Sequence, residues 1–163
     1  MTSPAIPTHP PRLDAPDFTR TAPAVYAAML ALGKAVDDAG IEKDLTELLK
    51  VRASQLNGCA YCLQLHLDVA RKAGVPQAKL DLVATWREAG AFSARECAAL
   101  AWTEALTDVA RQGAPDELHA QVAAQFPGAQ LAFLTTAIAT INAWNRIAVA
   151  LRFAPRPVTQ AVA

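Results

Sequence analysis

The sequence lacks an excess of charge of either sign. Its 15 Lys and Arg are set against 15 Asp and Glu, for a formal net charge of zero. There is no basic footprint for nucleic acid or for an anionic membrane surface, and neither is an expected partner. Charge is scarce altogether, at 18% of residues against the usual quarter, while hydrophobic residues reach 53%. So little polar surface predicts that part of the apolar area is hidden between subunits of a homo-oligomer. Cysteine is limited to three residues, an odd number that makes no disulfide framework, and the N-terminus has no charged-then-apolar signal pattern. The cytoplasm is therefore the expected compartment, where a close cysteine pair reads as redox-active, catalytic or metal-binding before structural. Long alternating, β-branched runs are missing too, which leaves an all-α fold.

Residues 1–23 hold six of the eleven prolines, at positions 4, 7, 10, 11, 16 and 23. Proline removes amide donors and fixes φ, so this stretch is expected to be an extended arm without helix. Residues 24–163 are expected to form a single helical domain. A first helix should cover Ala24 to Asp38 and stop at Gly40. A second should start at Asp44, where Asp44-Leu45-Thr46-Glu47 has the form of a capping box, and run to Leu56 with Leu45, Leu48, Leu49 and Leu56 as its core stripe. Asn57-Gly58 breaks the chain and caps a third helix over about Cys59 to Ala73. Further starts are read at Pro76, at the capping box Ser93-Ala94-Arg95-Glu96 and at Pro115. From the Ser93 start, Leu100, Thr103, Leu106 and Val109 should point inward. The last element, Ala129 to Arg152, is apolar on two faces but interrupted by Thr, Asn and Arg, which fits a central buried helix better than a membrane span.

Chemistry concentrates in Asn57-Gly58-Cys59-Ala60-Tyr61-Cys62-Leu63-Gln64-Leu65-His66, with Glu47 twelve positions before the first cysteine. At about 100° per helical residue, Cys59, Cys62 and His66 share one face within an arc of roughly 60°. Two thiols three residues apart can close a disulfide at a helix start, and an imidazole one turn on can take a proton from the second thiol. A free thiol with a pKa near 8.5 is only about 3% thiolate at neutral pH, so the site needs help from the helix dipole and from His66. Zinc is a poorer reading, because there is no second knuckle and three donors along one helix hardly close a tetrahedron. A thioredoxin-like site would need a flanking strand, and none is legible. Glu47 divides two ways. It is the third helical residue of a capping box, contributing about 0.5 to 1 kcal/mol, or a carboxylate partner that raises the basicity of His66. Cys97 reads as a buried small residue, and His9 and His119 as solvated.

With its glutamate twelve residues before C-x-x-C and its histidine four after, the chain resembles the alkylhydroperoxidase D (AhpD)-like branch of the carboxymuconolactone decarboxylase family. The matching residues are Glu47, Cys59-Ala60-Tyr61-Cys62 and His66, and Ile141-Asn142-Ala143-Trp144-Asn145-Arg146 is similar to the family's last helix. The likeness spans roughly residues 24–152. It implies an AhpD-like orthogonal helical bundle, assembled as a homotrimer or homohexamer. It also implies a cysteine-dependent peroxidase for small organic hydroperoxides that needs no metal, haem or flavin cofactor. By that resemblance Cys62 is the peroxidatic thiol, Cys59 the resolving thiol and proton donor, Glu47 and His66 the proton relay, and a dithiol or lipoyl-type protein the reductant. Tyr61 departs from the best-studied members, which carry a relay histidine before the second cysteine; a phenol is a poor base at neutral pH, so the relay here is expected to be shorter. Two other readings stay open, a redox sensor or disulfide-exchange module and a decarboxylase-like small-molecule enzyme.

Overall fold

The computed structural model describes residues 9–157, and most of that length is helical. The part of the expected arm before residue 9 lies outside the described residues. Within the rest of it, residues Ala15–Thr21 form a helix, α1, where extended chain was expected. The reason is positional: Pro16 sits at the helix entrance, where a missing N–H breaks no intrahelical bond, and the Asp14 carboxylate caps the Asp17 amide at 2.8 Å. Pro23 opens α2 (Pro23–Asp38) in the same way.

Helix α3 (Lys43–Leu56) is the centre of the molecule. Leu45, Leu49 and Ala53 pack in one apolar cluster with Leu134, Ile138 and Ile141 of α10 (Ala129–Leu151). Leu48 and Val51 belong to a second cluster with Ala70 of α4 (Ala60–Lys72), Leu80, Val83, Trp86 and Leu100. A helix buried on two sides explains why Glu47, Val51 and Ser54, which lie off the leucine stripe, are all buried. Leu56, expected in the core, is instead 43% exposed, because it is the last helical residue before the turn at Asn57.

The short helix read from Pro76, expected to run to about Glu88, is divided into α5 (Gln77–Leu82), a 3-10 turn over Val83–Thr85 and α6 (Trp86–Ala89). The capping box at Ser93 is formed in both directions and opens α7 (Ala94–Thr107). Leu100 and Thr103 are buried as expected. Val109 is 50% exposed, because it starts a separate short helix, α8 (Val109–Gln112), and so leaves the face it would have kept in a continued α7. Helix α9 (Asp116–Gln125) buries Val122 and delivers Phe126 to the core. Among the described residues no single helix is long and apolar enough to cross a membrane; α9 and α10 pass only as a pair bent by 115°.

Candidate active site

The turn from α3 into α4 builds the dithiol. Gly58 adopts φ +63°, a left-handed conformation that a side chain would strain, and this ends α3. The Cys59 amide then donates back to the Ser54 carbonyl oxygen at 3.0 Å, which fixes the chain as it re-enters helix. The N-cap of α4 is Cys59 itself, not Asn57 or Gly58: its sulfur accepts the Cys62 amide at 3.4 Å. A thiol thus takes the place usually held by a Ser or Asp oxygen. Both thiols are free and buried, Cys59 at 2% and Cys62 at 4% exposure.

The two sulfurs differ in environment. A hydrogen bond from the Cys62 thiol outweighs burial at Cys59, and amides of Cys62 and Tyr61 and the side chain of Asn145 add to it, lowering the Cys59 pKa to about 7. Cys62 is pushed upward, because it donates to Cys59, is buried and faces the charge on its partner. At neutral pH the pair is therefore about half ionised, with the negative charge centred on Cys59 and the proton that stays on Cys62. That is the opposite order from a site in which His66 alone activates Cys62.

Glu47 is not a capping residue. Helix α3 begins at Lys43 with Glu42 as N-cap, so Glu47 is its fifth residue, beyond the reach of the cap. Its carboxylate is 1% exposed and accepts from His66 Nδ1 at 2.7 Å and from Lys50 Nζ at 2.8 Å, with Lys43 Nζ at 3.2 Å. Burial pushes the carboxyl up, but the His66 hydrogen bond and the Lys50 charge outweigh it and bring the pKa down to about 2. An ionised carboxylate can only accept, so Nδ1 of His66 carries a hydrogen and Nε2 is the ring nitrogen left to exchange a proton. The structure thus joins Glu47 directly to His66, and it brings Cys59 and Cys62 together at the start of the same helix.

Two cavities meet at Cys62. One, of about 190 Å³, is lined by Cys62, His66 and Lys50 and by apolar residues of α2 and α10, including Leu30, Val36 and Ile141. The other, of about 300 Å³, is an aromatic space formed by Phe18, Tyr26, Tyr61 and Phe153. Trp144 and Leu65 border both. Cys59 lines neither. Tyr61 packs edge-on against Phe153, with centroids 5.4 Å apart, and burial followed by the Cys62 charge raises its pKa, so it is a wall of the cavity and not a base.

Lys50, Lys43 and Asn145 were not singled out from the sequence. The lysines were findable, lying one turn from Glu47 at i+3 and i−4; Asn145 carried only the signal of an amide in an apolar helix. Cys97 is half-buried, its thiol against the Phe92 carbonyl at 3.7 Å, and takes no part in the site. His119 is exposed beside Trp102. Among the described residues no group of three or more His, Cys, Asp or Glu is arranged to hold a metal ion.

The model of the carboxymuconolactone decarboxylase family matches residues 23–105, which run from the start of α2 into α7 and contain the whole Glu47, Cys59, Cys62, His66 set. The chain belongs to the carboxymuconolactone decarboxylase family. Among similar proteins, YdfG of Bacillus subtilis strain 168, itself uncharacterised, is 35% identical over 134 residues, covering 82% of this chain and 91% of YdfG. A crystal structure from Agrobacterium tumefaciens, of a protein of unknown function described as a candidate AhpD antioxidant-defence protein, superposes with a TM-score of 0.85. It is 35% identical and covers 92% of this chain and 100% of that one. The debrominase Bmp8 superposes with a TM-score of 0.76 at 20% identity, over 85% of this chain and 74% of its own, and shares the fold. Within the carboxymuconolactone decarboxylase family this is an AhpD-like protein, all-helical as expected.

Proposed function

We propose that the protein is a thiol peroxidase that reduces small organic hydroperoxides through the Cys59 and Cys62 pair. The observation that carries this reading is the 2.7 Å bond between Glu47 and His66, in a cavity where His66 and Cys62 are both wall residues. A fixed carboxylate and imidazole beside a cavity-facing thiol, next to a second thiol of lowered pKa, is a set of groups suited to peroxide reduction.

Cys62 passes its proton to the Cys59 thiolate and, as thiolate, attacks the terminal oxygen of the hydroperoxide. The O–O bond breaks, the oxygen stays on Cys62 as a sulfenic acid, and the departing alkoxide takes the proton from Cys59 to become the alcohol. Cys59, again a thiolate, attacks the Cys62 sulfur and expels hydroxide, which takes a proton that solvent supplies, directly or relayed through His66 Nε2, and leaves as water. The sulfurs are oxidised by two electrons, the peroxide is reduced by two, and a dithiol or lipoyl-type protein reductant restores the pair by exchange. Glu47 holds the His66 ring and tautomer throughout.

The apolar wall of the cavities supports a small apolar hydroperoxide as substrate. Helix α2 buries only Val36 and leaves Val25 and Leu32, one above the other at i and i+7, about half exposed, which supports assembly as a homotrimer or homohexamer through that face. The sparse, unpaired cysteines support the cytoplasm as compartment. A second reading, a redox sensor or disulfide-exchange module, is favoured by the depth of both thiols, which restricts a protein reductant. Steady-state consumption of cumene hydroperoxide with dithiothreitol separates the two: a peroxidase turns over many times, and a sensor oxidises once and stops. A Cys62→Ser protein that kept the parent rate would remove the peroxidase reading.

A further inference from the structure

Both tyrosines of the chain, two of its five phenylalanines and one of its three tryptophans line the larger of the two cavities at Cys62. Elsewhere the core is built mainly of Leu, Ile, Val and Ala. The five rings form a continuous arc. Tyr26 stands edge-on to Trp144 with centroids 5.9 Å apart, and Trp144 to Phe18 at 6.3 Å. Phe18 tilts against Phe153 at 5.7 Å, and Phe153 meets Tyr61, the residue before Cys62, at 5.4 Å. A close-packed core would have shut such rings on one another, yet they border about 300 Å³ of space with Cys62 in its wall. An apolar cavity of about 150 Å³ already accommodates benzene.

Two of the rings are brought by the ends of the chain. Phe18 comes from α1 and Phe153 from the segment after α10, and both lie outside residues 23–105 that carry the family match. The Arg12 and Leu13 amides, on the approach to α1, donate to the Leu151 carbonyl oxygen at 3.0 and 3.1 Å, which ties one end to the other. Arg152 then turns the chain in the left-handed region at φ +57°, and the Phe153 amide bonds back to the Ala148 carbonyl oxygen at 2.9 Å. Further on, Gln64 of α4 grips Arg156 with both ends of its amide: Oε1 accepts the Arg156 amide at 2.7 Å and Nε2 donates to the Arg156 carbonyl oxygen at 3.1 Å. The Arg156 guanidinium pairs with Asp68, one turn along α4. The segment bearing Phe153 is thus fastened across the helix that carries Cys62, by polar bonds that leave the cavity open.

We propose that this cavity is an aryl subsite, which takes the aromatic group of an arylalkyl hydroperoxide, with Phe18 and Phe153 setting the preference. The subsite deepens the peroxidase reading and rests on it for the reaction, although binding of the aryl group needs no turnover. An aromatic guest gains edge-to-face or offset contacts with these rings that an alkyl group lacks. The smaller cavity, with Trp144 alone among Phe, Tyr and Trp, offers far fewer.

The reduced full-length protein is titrated with 2-phenyl-2-propanol, the alcohol formed from cumene hydroperoxide, and with tert-butanol, while the Trp144 indole resonance is followed by NMR. The phenyl alcohol should shift that resonance to saturation, and tert-butanol at the same concentrations should not. Phe18→Ala should weaken binding of the phenyl alcohol about tenfold. In turnover, the ratio of kcat/KM for cumene hydroperoxide to kcat/KM for tert-butyl hydroperoxide should fall by a similar factor. A merely structural role for Phe18 would lower both rates together and leave the ratio unchanged. If Phe18→Ala does not fold, Thr19→Trp fills the cavity from the half-buried flank of α1 and should abolish the saturable shift. Equal responses to the two alcohols, parent-like binding in the variant, or an unchanged ratio would overturn the subsite. Binding of the phenyl alcohol that depends on Phe18, without turnover of either hydroperoxide, would keep the subsite and remove only the peroxidase reading.

Discussion

Glu47→Gln removes one charge from the interior and leaves the shape, so its effect can be worked out from the surroundings of the carboxylate. In the folded protein the carboxyl titrates at about 2, against 4.5 for the unperturbed group. A folded pKa below the unfolded one means that the ionised form adds stability above pH 4.5, and that this is lost as pH falls through 2. The difference corresponds to about 3 kcal/mol at pH 7. Glutamine can still accept from Lys50 and His66 but carries no charge to oppose theirs, so most of that stability should go. In urea unfolding at pH 7 and fixed protein concentration, the midpoint of Glu47→Gln should lie about 1 M or more below the parent. The gap should narrow on acidification, to about 1 kcal/mol at pH 3. Hydroperoxide turnover should fall about 100-fold, because His66 loses the partner that fixes its tautomer. Equal midpoints at pH 7, or a gap that widens from pH 7 to pH 3, would refute the reasoning about this carboxylate.

Tyr61→Phe keeps the ring against Phe153 and removes only the hydroxyl, so the turnover rate should stay within about twofold of the parent; a loss of 100-fold would make the phenol part of the proton relay. A Val25→Glu and Leu32→Glu double variant should sediment at a smaller mass than the parent, and a parent already at monomer mass would remove the α2 interface. Leu49→Ala, at a fully buried position between α3 and α10, should lower unfolding stability by about 2 to 5 kcal/mol in the same urea assay, with the upper part of the range expected if the cavity does not collapse.

The helical class and the starts at Ser93 and Pro115 were legible because they depend on neighbours within one turn. The spacing of Glu47, Cys59, Cys62 and His66 was legible for a related reason: two consecutive helices joined at Asn57-Gly58 carry all four. What local rules misjudged was the entrance of α3. With Glu42 as N-cap the helix starts two residues earlier than the Asp44 box required, and that moved Glu47 from a cap to the interior. The helix at Ala15–Thr21 was hidden by counting prolines, when their place within the helix decided the outcome. The hydrogen bonds of Asn145 to Asn57 and Ser54 were beyond reach, since they join residues 88 and 91 positions apart along the chain. The relative acidity of the two thiols was also out of reach, because it depends on which sulfur receives the hydrogen bonds.

One consequence follows from a sulfur serving as the N-cap of α4. A thiolate is a strong acceptor for the Cys62 amide and a disulfide sulfur is a weak one, so closing the Cys59 and Cys62 bond loosens the first turn of the helix that also carries His66. The dithiol form then holds two advantages over the disulfide, the stabilised thiolate and the intact helix start. In the proposed cycle both would tilt the couple toward reduction and make the disulfide form a ready electron acceptor. In that cycle helix α4 would act as a spring that oxidation loads and the reductant releases.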